Sequence, residues 1–151
     1  MHVLSLRHGD GTARALSYLG LIPFIAGILV AWAPFPELRA QALTAVAIYG
    51  AVILSFIGAV HWGRVITAPA EDPLGSLWLI WAVAPSLLGW FATLLPSTGT
   101  MPVLIIGFVL AWFGDRRAVQ AGLLPLWYGH MRDRLTVVVC TTLTASLPLV
   151  F

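Results

Sequence analysis

Residues 41–66 read QALTAVAIYGAVILSFIGAVHWGRVI, and this stretch decides the fold. It is apolar, small, aromatic or hydroxyl-bearing throughout, apart from Gln41, His61 and Arg64. A helix crosses a hydrocarbon core of about 30 Å with about 20 mostly apolar residues. Residues 41–66 exceed that length, so the helix they form can tilt or project from the bilayer.

Working outward, four more segments pass the same test, giving helices over residues 15–34, 41–66, 74–95, 100–114 and 135–151. No charge falls in residues 15–35, 74–114 or 135–151. The whole chain has 151 residues, of which 60% are hydrophobic and only 9% charged, with a mean hydropathy of +0.94. Soluble domains carry about 25% charged residues. Fourteen charged side chains cannot cover a small soluble fold, which excludes an ordinary soluble enzyme, a nucleic-acid binder and a disordered tail. The expected fold class is therefore all-α, a polytopic integral membrane bundle of five transmembrane helices. Residues 1–14 form a segment before the bundle, and residues 15–151 form the bundle. The first apolar run is longer than the core of a signal peptide, and Pro34 follows its small-x-small site, so it is read as a retained helix.

The arginines orient the bundle. Arg7, Arg14, Arg64, Arg116, Arg117, Arg132 and Arg134 fall on one face, and Arg39 alone falls on the other. By the positive-inside rule the N-terminus is expected to be cytoplasmic (or matrix-side) and the C-terminus outside. Residues 116–134 are too apolar for a free loop and too broken by Gly122 and Pro125 to span. They are expected to lie as an interfacial segment, with Trp127 and Tyr128 at headgroup depth beside arginines that attract anionic lipid headgroups.

Lipid gives helices no hydrophobic reason to associate, so close approach of small residues has to supply contact. Ala47, Ala51, Ser55, Ala59 and Gly63 recur at strict i+4 spacing and are expected to form a helix-packing stripe that places residues 41–66 centrally. Pro23 and Pro85 each free a carbonyl four residues earlier, at Leu19 and Trp81, which kinks a helix or lines a polar cavity.

Ionisable groups at membrane depth are functional candidates. His61 is the only histidine inside an apolar segment, and Asp115 and Arg116 close the fourth helix on the same face. The candidate ligand-binding set is His61, Trp62, Arg64, Asp115, Arg116, Trp127 and Arg132, with His130 nearby in sequence to Arg132. The competing reading is structural, an ion pair that locks helices. No catalytic residues are expected: no acid lies deep in a helix, there is no GxSxG, and CxxC and HExxH spacings are absent. No metal site and no cofactor are expected, and the single Cys140 excludes an intrachain disulfide.

At residues 49–63 (YGAVILSFIGAVHWG) the chain resembles the bacterial relatives of transmembrane protein 69, a family grouped as a domain of unknown function. Residues 20–24 (GLIPF), 115–117 (DRR) and 122–128 (GLLPLWY) agree with it in order and spacing. The resemblance implies a five-helix membrane protein of the bacterial inner membrane, or of the mitochondrial inner membrane in a eukaryote, and brings no established activity. The leading expectation is a non-enzymatic inner-membrane protein, an accessory or assembly subunit packing against another membrane protein or as a homo-oligomer. The alternatives are a binder of a small amphipathic ligand (quinone or anionic lipid) at the cytoplasmic-side polar cluster, and a small transporter or channel built by oligomerisation with its cavity at Pro23 and Pro85.

Overall fold

Proline and glycine punctuate this chain into helices. The computed structural model describes residues 3–68 and 74–151. It contains α1 (Val3–Leu19), α2 (Ile22–Trp32), α3 (Pro36–Thr67), α4 (Gly75–Thr93), α5 (Ser97–Gln120), α6 (Leu126–Ser146) and a closing 3-10 turn (Leu147–Leu149). No strand occurs among the described residues. α1 and α2 run on through a turn at Gly20 and Leu21, where Pro23 enters the new helix in its first turn, as an N-terminal proline can without losing a bond. Tyr49 donates its hydroxyl to the Gly20 carbonyl at 3.1 Å, anchoring that turn to α3. The result is five helical rods, four of which (residues 10–32, 36–67, 75–93 and 97–120) are long and apolar enough to cross a membrane.

The rods close into a ring. α3 packs on α2, α4 and α5, α5 on α4 and α6, and α6 returns to α2. The core runs down the inside from Phe24 and Ile28 of α2 through Val46 and Leu54 of α3, Leu104 and Phe108 of α5, to Val139 and Leu143 of α6. Trp32 donates its indole N–H to the Ala145 carbonyl at 3.0 Å and fastens the far ends of α2 and α6. The outside is lined by large apolar side chains such as Ile48, Phe56, Ile80, Leu87 and Leu126, all more than half exposed. A bundle with this surface belongs in lipid.

Three expectations from sequence need adjustment. Residues 1–14, read as a segment preceding the bundle, are helical from Val3 onward, and residues 1–2 lie outside the described residues, as do 69–73 in the connection between α3 and α4. Residues 116–134, read as an interfacial segment, are mostly helix: α5 continues to Gln120 and α6 already begins at Leu126. A Schellman cap stops α5, with Leu123 N–H on the Ala118 carbonyl (2.9 Å), Gly122 N–H on Val119 (3.0 Å) and Gly122 at φ +72°. Pro125 then opens α6. Hydropathy marks where a helix leaves oil and says nothing about where its hydrogen bonds end, so it does not reveal that the charged turns are helical. For the same reason α6 departs from the other rods: Arg132, Asp133 and Arg134 ride on it, and its uncharged part from Leu135 to Ser146 is about 18 Å long.

The third adjustment concerns the small-residue stripe. Four residues advance a helix by about 400°, so an i+4 row drifts about 40° per step. Ala47 is buried, Ala51 lies against Gly89, Ser55 is half-buried, Ala59 is exposed and Gly63 meets open space. The seam that α3 buries is instead Leu43, Val46, Gly50, Leu54, Ile57, Gly58 and His61, mixed i+3 and i+4. Gly58 is its tightest point, since a Cβ there would stand 2.2 Å from the Ala82 carbonyl oxygen of α4. Pro85 packs beside it and is itself buried, so this proline serves a helix contact.

Candidate functional site

At the arginine-rich end of the ring α3, α5 and α6 converge on one carboxylate. Asp115 has no exposed surface, although it lies only one residue after Gly114, where a Cβ would collide with the Trp81 indole. Close seating of Trp81 on that glycine draws this part of α5 inward. A buried carboxylate survives only if its lone pairs are filled. Asp115 Oδ1 accepts from His61 Nε2 of α3 at 3.0 Å and from the Tyr128 hydroxyl of α6 at 3.3 Å. Oδ2 accepts from Arg132 Nε of α6 in a charge-assisted bond. His61 and Arg132 are buried as well, at 1% and 6% exposure.

The second layer is aromatic. The Trp78 ring of α4 stacks on His61 with centroids 5.1 Å apart and planes 10° off parallel, and the Arg64 guanidinium lies over the Trp78 ring, 5.3 Å from its centroid. Beside this cluster is a more exposed one. Asp133 accepts from Trp112 Nε1 (2.7 Å) and Arg116 Nη1 (3.0 Å), and Arg116 also covers the Trp112 ring.

Of the seven candidate ligand residues, the structure therefore brings His61, Asp115 and Arg132 into direct contact and sets Arg64 one ring away. Arg116 joins Asp133. Trp127 carries the Arg14 guanidinium 5.2 Å from its centroid, on the flank between α1 and α6. Trp62 points outward and is 47% exposed, and His130 is exposed too. Sequence reasoning missed Trp78, Tyr128, Trp112 and Asp133. A signal for Tyr128 was present: Tyr128, Arg132 and Thr136 recur at i+4 and run into Leu135, Val139 and Leu143, one continuous inward face once the helix starts at Leu126.

Chemically, Asp115 and Arg132 balance each other's charge, so the cluster does not require a charged imidazole. In the tautomer that protonates Nε2, His61 donates to Asp115 and its Nδ1 keeps a lone pair. His61 Nδ1, Arg132 Nη2 and Thr136 Oγ1 are buried and make no hydrogen bond among the described residues. No group of three His, Cys, Asp or Glu side chains is placed to hold a metal ion among the described residues.

Comparison with known proteins places the chain as follows. A family described as a protein of unknown function (DUF3429) matches residues 10–148. Transmembrane protein 69 of Xenopus tropicalis is 34% identical over 152 residues, covering 96% of this chain and 57% of the frog protein. The chain thus spans little more than half the length of that relative. No solved structure matches.

Proposed function

This chain belongs to the DUF3429 family of membrane proteins of unknown function, and on that premise we propose that it is a non-enzymatic accessory or assembly subunit that packs against another membrane protein. The observation that carries the reading is the face α3 leaves uncovered. Phe56, Trp62 and Ile66 stand exposed there with the small Ala59 and Gly63 between them. Lipid needs no small residues opposite it, whereas a neighbouring helix gains close contact from them. The buried cluster supports the same reading from inside. Its ionisable groups are spent on one another and tie α3, α5 and α6 together, instead of facing a substrate. The family resemblance supports a bacterial inner-membrane or mitochondrial inner-membrane setting, and the arginine distribution supports an orientation with the arginine-rich end facing inward.

A photo-crosslinking residue at Phe56 or Trp62, activated in native membranes, tests this. A discrete product with a second membrane protein is the expected result. Only monomer and lipid products would sink the reading.

A second reading, a binder of a small amphipathic ligand such as a quinone at the buried cluster, is favoured by the unpaired His61 Nδ1, Arg132 Nη2 and Thr136 Oγ1. Burial of a polar atom without a partner costs about 1–3 kcal/mol, which a ligand carbonyl would recover at Arg132 Nη2 and Thr136 Oγ1 and a ligand hydroxyl at His61 Nδ1. Native mass spectrometry of the gently extracted protein separates the two readings. Under this one a small molecule remains bound and is lost in Thr136→Val.

A further inference from the structure

At the opposite end of the ring lies a cleft of about 900 Å³ between the beginning of α3, the end of α4 and the start of α5. We propose that it holds an acyl chain of an anionic phospholipid whose headgroup pairs with Arg39. Its size lies within the range of about 300–1,000 Å³ usual for ligand pockets. Along α3 it runs from Arg39 to Ser55, about 24 Å, which exceeds the roughly 15 Å of hydrocarbon in one leaflet.

The walls suit a hydrocarbon chain despite their hydroxyl groups. Thr44 donates to the Ala40 carbonyl, Ser55 to Ala51, Thr93 to Trp90 and Thr100 to Leu95, at 2.7–3.0 Å. Their protons are thus spent on their own helix or the turn before it, and they meet the cleft as small, satisfied groups. The first members of the i+4 row, Ala47, Ala51 and Ser55, form one wall, and their small size is what leaves the cleft open.

One end holds the charges, Arg39 in the lining and the exposed Glu37 outside it. Arg39 lines the cleft, and it is the single arginine at this end of the ring. Its Nε donates to the Ala31 carbonyl at 3.2 Å, which pins the guanidinium at the α2–α3 turn. Among the described residues it forms no ion pair with an acid. A cation at one end and an apolar trough leading from it match a molecule with an anionic head and a hydrocarbon tail.

The test is native mass spectrometry of the protein released from vesicles of equimolar phosphatidylglycerol and phosphatidylcholine. Wild type is expected to carry one lipid with phosphatidylglycerol in excess. Arg39→Gln should reduce that excess about fivefold, the weight of one arginine near an anionic headgroup. Arg39→Lys should keep it, Ser55→Leu should lower the adducts of both lipids, and Arg117→Gln at the other end should change nothing. Three results would overturn the proposal: no adduct on wild type, a headgroup preference that follows Arg117 and ignores Arg39, or a dimer without lipid that Ser55→Leu dissociates.

Discussion

Asp115 is fully buried in the bundle and is held by three donors, two from α6 and one from α3. Removing a single partner of a buried pair leaves the other charge uncompensated, at a cost of about 3–5 kcal/mol. Asp115→Leu is therefore expected to lower the thermal midpoint in mild detergent sharply, through the stranded Arg132. The double variant Asp115→Leu/Arg132→Leu should recover most of the loss, because replacing a whole buried pair with apolar groups is often neutral. If the double variant were as unstable as the single, the cluster would hold more than a charge balance. Tyr128→Phe removes only a long neutral-to-anion bond, and a loss of about 1 kcal/mol is expected in the same measurement. At this scale the sequence named His61, Asp115 and Arg132 as a group, since each is an ionisable residue near one end of an apolar run. Trp78 was not legible, because nothing in α4 distinguishes the indole that stacks on His61 from the other tryptophans.

Between helices, glycine positions decide how closely the rods approach. Gly58 faces the Ala82 backbone carbonyl, which cannot swing away as a side chain would. Gly58→Ala is expected to push α3 and α4 apart and cost about 1–3 kcal/mol. Gly63, five residues on, meets nothing within 4 Å, so Gly63→Ala should be neutral or stabilise by up to about 1 kcal/mol in the isolated protein. Equal effects in parallel denaturation curves would refute the assignment of Gly58 to the seam. Gly122→Ala tests the α5 cap: its left-handed backbone costs an L-residue about 1–2 kcal/mol. Both the seam and the cap show how far pattern reading reaches. A strict i+4 row looks like an interface on paper, but the helical repeat carries it around the rod, and the true seam mixes steps of three and four.

For the molecule as a whole, the arginine-rich end and the Arg39 end are separated by the length of the bundle, and the positive-inside rule predicts that the arginine-rich end faces the cytoplasm or matrix. With Cys140 replaced by Ser, a single cysteine at Gln120 is expected to react with an impermeant thiol reagent only after the membrane is opened. A cysteine at Phe151 should react from outside on intact cells. The reverse pattern would invert the topology and move the Arg39 cleft to the inner leaflet. Membrane insertion and helix number were legible in the amino-acid sequence, because each depends on runs of residues whose solvent is the bilayer, and transfer free energy adds along a run; the family was legible through the resemblance carried by residues 49–63. The neighbours of each helix were not. Which faces meet depends on the phase of each helix, on where the caps at Gly122 and Pro125 stop and start it, and on contacts between residues as far apart as His61 and Asp115. Those contacts compete with one another over the whole ring, so only the assembled bundle fixes that the charged turns fold inward on a carboxylate and that a cleft remains at Arg39.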